Sequence, residues 1–172
     1  MKKRSISIFI ERVQLEEVEA FRKKFDYLYS VIPPHITLVF PFESKLTTEE
    51  CIEHLSQTLK KVQPFSITLN DFHIADDHCL FYLVDEGKEQ ICAIHNRLYT
   101  KKLVQYQSEN QTYIPHVTIG RFISQIEASE ALELAKQTII AKQFWIKKIV
   151  LEIIGPNDDS IVEHIFKLND NQ

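Results

Sequence analysis

Two histidine–threonine pairs are the residues of this sequence best suited to chemistry on a phosphate group. His35 with Thr37 and His116 with Thr118 each stand in a segment that reads proline, histidine, apolar, threonine, apolar. An imidazole exchanges protons near neutral pH, and a hydroxyl can donate a hydrogen bond to a phosphoryl oxygen. Because alternate residues of a strand share a face, the histidine and threonine of each segment point the same way. Two such strands facing each other would place two imidazoles and two hydroxyls in one cleft.

The elements that must position these pairs repeat in the same order. Apolar alternation and helical spacing predict β-α-β-α-β in the first half of the chain and β-α-β-α-β-β in the second, with one motif in each half. The apolar run Trp145–Ile154 predicts a single strand. We therefore expect one bilobal domain over residues 1–172, with duplicated halves at roughly 1–75 and 76–172 and a groove between them.

The composition is that of a globular protein without a glycine-rich phosphate loop. The chain has 172 residues, 44% of them hydrophobic, and only three glycines, which form neither GxGxxG nor a Walker A pattern. A net charge of −4 argues against long duplex nucleic acid as a partner, because such binding requires a basic surface. Three cysteines without CxxC spacing and the lack of a long apolar stretch predict a cytoplasmic protein that does not bind a membrane.

The two motifs also resemble the signatures of a known family. Pro34–Leu38 and Pro115–Ile119 are similar to the paired motifs of the two-histidine (2H) phosphoesterases, which include RNA 2′,3′-cyclic phosphodiesterases and 2′-5′ RNA ligases. The size resembles that of small stand-alone bacterial members. The resemblance implies an α+β fold of two pseudo-symmetric lobes of antiparallel sheet, with helices packed outside and a central cleft. It further implies an active site of His35, Thr37, His116 and Thr118.

Arg121 is a further candidate for binding phosphate. It stands where some members of the family carry a basic residue after the second motif. Strict alternation would place Arg121 on the face opposite His116, so a bulge or a strand end is needed to bring it into the cleft. After the first motif, Val39–Phe42 lacks the basic residue and the glycine that are common in RNA-active relatives, which argues against long RNA as the substrate.

These residues predict a metal-independent hydrolase of phosphodiesters, and the resemblance implies that its substrate is a 2′,3′-cyclic phosphate, or a related 2′-linked phosphodiester, of a nucleotide or an RNA end. One neutral imidazole takes a proton from water, and the other, protonated, gives a proton to the departing ribose oxygen. The threonine hydroxyls hold the non-bridging oxygens. The pseudo-symmetry leaves open which histidine is the base. Ordinary imidazole pKa values near 6.5 predict a pH optimum within about one unit of neutrality.

Two other functions remain open at this stage. One is reversible 2′-5′ RNA ligation and cleavage, and the other is binding of a nucleotide or RNA end without turnover. We expect a monomer without cofactor or metal, since zinc requires three or four ligands. The pairs Cys92 with His95 and His73 with His78 lack a complete ligand set. His54 and His95 are expected on helix surfaces.

Overall fold

The computed structural model describes residues 1–108 and 112–168. Within those ranges the chain forms eight strands and four α-helices: β1 Lys2–Phe9, α1 Glu16–Phe25, β2 His35–Ser44, α2 Thr48–Leu59, β3 Phe65–Ile74, β4 Cys79–Val84, α3 Lys88–Leu98, β5 His116–Arg121, α4 Gln125–Thr138, β6 Lys142–Ile146, β7 Lys148–Ile154 and β8 Ser160–Lys167. Short 3₁₀ helices precede α1, at Arg12–Leu15, and follow α3, at Lys101–Tyr106. None of the helices in the described ranges has the length and apolar content needed to cross a membrane.

The strands form two antiparallel sheets, which confirms the predicted α+β class. The first sheet has the order β2-β1-β7-β8 and the second has the order β5-β4-β3-β6. Each half contributes a strand to the sheet that holds the other half's motif, because β3 of the first half pairs with β4 and β7 of the second half pairs with β1. The predicted boundary near residue 75 therefore separates two repeats of element order and not two sheets.

The prediction of one strand over Trp145–Ile154 is wrong. The segment contains the end of β6 and all of β7, and these strands lie in different sheets. The chain crosses between the sheets at Lys147, beside Lys148, where two consecutive lysines interrupt the alternation of buried side chains. A strand pattern without this break would have kept both parts in one sheet.

Helices from each half of the chain also pack against the motif strand of the other half. Helix α1 packs against β5, and helix α3 packs against β2. Helix α2 begins at the capping box of Thr47 and Glu50, in which the threonine hydroxyl accepts from the Glu50 backbone N–H at 3.2 Å. The exchange of strands and helices ties the two motifs into one hydrophobic core.

Candidate active site

The motif strands β2 and β5 alternate as their sequences predict. In β2, Ile36 and Leu38 are completely buried, whereas His35 and Thr37 between them are partly exposed. The same alternation occurs in β5, where Val117 and Ile119 are buried and the histidine and threonine are partly exposed. Burial of the apolar residues therefore fixes the direction in which the polar side chains of both strands point.

Both motifs line one cavity of about 890 Å³. The sequence reasoning proposed five site residues, and all of them line this cavity: His35, Thr37, His116, Thr118 and Arg121. A volume of this size accommodates a ligand larger than a phosphate ion. The structure thus brings together two segments that are far apart in the sequence.

The two imidazoles are held in the same way. The Nδ1 of His35 lies 2.9 Å from the carbonyl oxygen of Pro33, and the Nδ1 of His116 lies 2.6 Å from the carbonyl oxygen of Ile114. A carbonyl can only accept, so each Nδ1 carries the hydrogen and donates it. In the neutral ring this leaves the lone pair on Nε2, which has no hydrogen-bond partner among the described residues. Both imidazoles are therefore oriented as proton acceptors through Nε2.

The pKa values of both histidines lie far below the ordinary value. The pKa of His35 is lowered to about 4, mainly by burial and further by the charges of Arg22 and Arg121. The hydrogen bond to Pro33 acts in the opposite direction and raises this pKa. Burial likewise lowers the pKa of His116 to about 4, with Arg121 as the main cationic contribution. At neutral pH both imidazoles of the free protein are therefore neutral, and these pKa values do not match the ordinary value near 6.5 on which the expected optimum near neutrality depends.

Aromatic rings pack beside both imidazoles. Phe81 of β4 stacks on His116 with 3.5 Å between ring centroids and an interplanar angle of 15°. Phe9 of β1 lies 5.8 Å from the ring of His35 in a tilted arrangement. These apolar neighbours help to exclude water from the imidazoles, consistent with the lowered pKa values.

A β-bulge turns Arg121 into the cavity. In the pairing of β4 with β5, Phe81 lies opposite Thr118 and Leu80 lies opposite Gly120, so Ile119 is an extra residue. The extra residue shifts the alternation by one position, and Arg121 therefore shares the cavity with His116. The sequence reasoning identified the need for such a bulge, and Gly120, an isolated glycine in the strand, was the available signal of its position.

A chain of alternating charges holds Arg121 in place. Its guanidinium forms an ion pair with Asp26 at the end of helix α1. Asp26 also binds Arg22, whose Nη2 lies 2.9 Å from Oδ2 of the carboxylate. The same Arg22 donates to the carbonyl of Ile32, at 3.0 Å, in the segment before His35. Because one carboxylate serves two arginines, Arg121 keeps positive charge available for an anion in the cavity.

Strand β2 contains an equivalent bulge. Ser7 lies opposite Thr37 and Ile6 lies opposite Val39, so Leu38 is the extra residue. The residue that follows at the position equivalent to Arg121 is Phe40, which also lines the cavity. At this equivalent position the second motif therefore has a guanidinium and the first motif has an aromatic ring.

Buried groups from the second half of the chain fix the backbone of β2. The hydroxyl of Tyr113 donates to the carbonyl of Thr37 at 2.7 Å, and the Nδ1 of His95 donates to the carbonyl of Leu38 at 2.8 Å. The rings of Tyr113 and His95 stack at 3.7 Å.

The expectation that His54 and His95 lie on helix surfaces is wrong, since both are at most 5% exposed. Each faces inward because a carbonyl of the neighbouring backbone satisfies one ring nitrogen.

The sequence reasoning missed a carboxylate beside the first motif. Glu152 of β7 lines the cavity and accepts hydrogen bonds from the hydroxyls of Ser7, at 2.9 Å, and Ser160. A glutamate within the apolar run of β7 was the available signal, since buried strands seldom contain one.

In the described parts of the chain, no group of three or more histidine, cysteine or acidic residues could hold a metal ion.

A family model now places the chain among known proteins. The model of the 2′-5′ RNA ligase superfamily matches residues 8–155, which include both motifs and Arg121. The chain belongs to the 2′-5′ RNA ligase superfamily. A relative from Oceanobacillus iheyensis, named "Putative phosphoesterase", is 32% identical over 135 residues and the match covers 76% of each chain. A similarly named protein from Bacillus pumilus is 29% identical over 136 residues, with 78% of each chain covered.

Solved structures share the fold of this chain. A crystal structure described as a phosphoesterase has a TM-score of 0.65 at 16% identity, covering 99% of this chain and 100% of the other. Escherichia coli LigT in complex with 3′-AMP has a TM-score of 0.64 at 14% identity, covering 98% and 99% of the two chains. At these identities the likeness concerns the fold.

Proposed function

We propose that this protein is a phosphoesterase that hydrolyses 2′,3′-cyclic phosphates of nucleotides or RNA ends without a metal ion. The observation that carries the proposal is the placing of two Nε2 lone pairs, two threonine hydroxyls and one guanidinium in a single cavity. The superfamily membership, the phosphoesterase names of its relatives and the nucleotide bound to LigT support the same chemistry. His35 and His116 are the proposed catalytic residues, with Thr37, Thr118 and Arg121 binding the phosphate.

Hydrolysis of the cyclic diester requires two proton transfers at opposite sides of the phosphorus. One Nε2 takes a proton from water as the water oxygen bonds to phosphorus. The bond from phosphorus to one ribose oxygen breaks, and that oxygen takes a proton from the other imidazole. The hydroxyls of Thr37 and Thr118 and the guanidinium of Arg121 stabilise the charge on the non-bridging oxygens.

The lowered pKa values require the substrate to help in protonating one histidine. Both imidazoles are neutral in the free protein at pH 7, so no general acid is present before binding. A bound phosphodiester is an anion, and an anion beside an imidazole raises its pKa. Binding therefore creates the pair of one protonated and one neutral imidazole that the mechanism needs.

The acidic charge balance and Phe40 at the position equivalent to Arg121 favour a substrate that presents a single phosphate. We therefore expect turnover of cyclic mononucleotides and of RNA ending in a 2′,3′-cyclic phosphate. DNA, which lacks the 2′-oxygen, should not be cleaved. Binding should depend weakly on salt because few phosphates are neutralised.

A matched substrate panel tests this proposal. It contains a 2′,3′-cyclic mononucleotide, RNA with a cyclic-phosphate end, a 2′-5′ dinucleotide, a 3′-5′ dinucleotide and DNA. Turnover confined to the first two is the expected result, and cleavage of the 2′-5′ dinucleotide would extend the substrates to 2′-5′ linkages. Binding of the whole panel without turnover would establish a sensor, and cleavage of DNA as fast as RNA would refute the role of the 2′-oxygen.

A further inference from the structure

The cavity wall beside the first motif differs in hydrogen-bonding character from the phosphate site. Ser5, Glu152 and Ser160 line this part of the cavity, and we call them the acceptor wall. The hydroxyl of Ser5 donates to the carbonyl of Val39 at 2.9 Å, and the hydroxyl of Ser160 donates to Glu152. A hydroxyl has one hydrogen, so both serines have only lone pairs left for a ligand.

The carboxylate of Glu152 has the same character. Its oxygens accept from Ser7 and Ser160, and two carboxylate oxygens together have about four acceptor positions. Glu152 is 1% exposed and forms no ion pair with any residue in the described parts of the chain. A buried carboxylate without a cation requires hydrogen-bond donors for its remaining lone pairs.

The threonines of the two motifs present the opposite character. The hydroxyls of Thr37 and Thr118 form no hydrogen bond within residues 1–108 and 112–168, so both can donate to phosphate oxygens. These donors and the guanidinium of Arg121 suit a phosphate, whereas the lone pairs of the acceptor wall do not. A substrate that spans both regions must direct its phosphate to the motifs and its hydrogen-bond donors to Glu152.

The sheet register gives the distance between the two regions. Thr37 on β2 lies opposite Ser7 on β1, and Ser5 on β1 lies opposite Glu152 on β7. Neighbouring strands are about 4.8 Å apart and residues rise about 3.4 Å along a strand, so the Glu152 backbone lies two strands across and two residues along from Thr37, about 12 Å away. The Glu152 side chain reaches back from there to Ser7, at 2.9 Å, and Ser160 binds its other oxygen, so the carboxylate lies between β1 and β8 on the cavity wall.

We propose that the acceptor wall binds the donor edge of the substrate's nucleobase and that it favours guanine. This inference rests on the proposed function, because the cyclic phosphate occupies the 2′- and 3′-oxygens and leaves the base as the main source of donors. Guanine presents two adjacent donors, N1–H and the exocyclic amino group. Adenine and cytosine present one amino group beside an acceptor nitrogen, which the wall repels. Uracil presents one N–H between two carbonyl oxygens.

The test compares the four 2′,3′-cyclic mononucleotides as substrates and the four nucleoside 3′-monophosphates as ligands. In the native protein the guanosine compounds should be preferred by about tenfold or more, the contribution of a hydrogen bond to a charged group. Glu152→Gln replaces one acceptor oxygen with a donor amino group at nearly constant shape. The variant should lose this preference and favour adenine or cytosine, whose edges pair one donor with one acceptor.

Two further variants control this test. Asp158→Asn removes a negative charge from another residue that lines the same cavity, and it should leave the base preference unchanged. Glu152→Asp keeps the charge but shortens the side chain, and it should reduce the guanosine preference even if the amide variant folds poorly. Thermal melting of each variant identifies a loss of folding.

The binding measurements separate this inference from the proposed function. If guanosine 3′-monophosphate binds best and Glu152→Gln abolishes the preference while no cyclic nucleotide is hydrolysed, the acceptor wall stands and the hydrolase proposal fails. If all four cyclic nucleotides are hydrolysed equally by the native protein, the hydrolase proposal stands and the acceptor wall is refuted. An unchanged guanosine preference in both Glu152 variants would also refute it.

Discussion

At the scale of single residues, the proposed chemistry depends on which atoms are free to act. The Nδ1 atoms of both histidines are engaged with carbonyls of their own segments, and this leaves Nε2 for the proposed proton transfers. The threonine hydroxyls have no partner among the described residues, whereas the nearby serine hydroxyls are engaged. Residues of similar type thus acquire different roles from the hydrogen bonds around them.

The threonine hydroxyls give a prediction at this scale. Thr118→Val keeps the shape of the side chain but removes its donor, and it should lower kcat by about 10²–10³-fold, as loss of one oxyanion donor does. Thr118→Ser keeps the hydroxyl and should have a much smaller effect. Steady-state kinetics with a 2′,3′-cyclic mononucleotide measure both. A Thr118→Val variant at least as active as Thr118→Ser would contradict the role of the hydroxyl.

The lowered histidine pKa values predict an unusual pH profile. Since kcat/KM reports the free protein, it should be greatest at about pH 4–5, where one of the two imidazoles is protonated, and it should fall as the pH rises further. The optimum of kcat should lie at higher pH, because the bound anion raises the pKa of the pair. Coincident optima of kcat/KM and kcat near pH 7 would contradict the lowered pKa values.

At the scale of elements, the two motif strands carry side chains whose protonation opposes folding. Each histidine is buried as the neutral form, with a pKa of about 4 in the folded protein and about 6.5 in the unfolded chain. The unfolded chain therefore binds more protons between these values. The stability that these groups contribute is complete above pH 6.5 and is lost as the pH falls towards 4.

We predict that the free energy of unfolding falls as the pH is lowered from 6.5 to 4.5. Each histidine adds up to about 1.4 kcal/mol per pH unit to the slope of the free energy of unfolding against pH, which is the effect of one proton. His35→Gln or His116→Gln should therefore remove the contribution of one histidine from this slope. Urea unfolding at several pH values measures it. Burial raises the pKa of Glu163, but hydrogen bonds from Arg4 and Thr48 lower it more, to about 2. The pH range ends at 4.5 because protonation of Glu163 also lowers the free energy of unfolding below that pH. Identical slopes in the native protein and both variants would contradict the prediction.

At the scale of the whole molecule, the sequence predicted which motif side chains share a face better than it predicted their surroundings. The repeated motif predicted that His35 and His116 lie on the polar face of their strands, because alternation on a strand is a local property. The bulges at Leu38 and Ile119 and the exchange of β3 and β7 depend on partners that are distant in the sequence. The pKa values depend on burial by those same distant partners, so no local pattern indicated them.

The same limit explains the residues that were misplaced or missed. His95 lies on a helix with polar neighbours, yet it faces a carbonyl of β2 that only the folded chain brings near. Glu152 stands in an apolar run, and its two serine partners come from β1 and β8. Both residues acquired their places from tertiary contacts, which override the local sequence pattern.

The most direct measurement of the central claim compares His35→Ala, His116→Ala and the double variant in the hydrolysis of a 2′,3′-cyclic mononucleotide in the presence of EDTA. Native activity should survive EDTA, and each single variant should lose about 10²–10⁴-fold. The double variant should lose little more than either single one, because residues that act as a unit are not additive. His73→Ala, which removes a third imidazole from the same cavity, should change little. Multiplied losses in the double variant, or activity that EDTA abolishes and a divalent cation restores, would contradict a joint, metal-independent action of the two histidines.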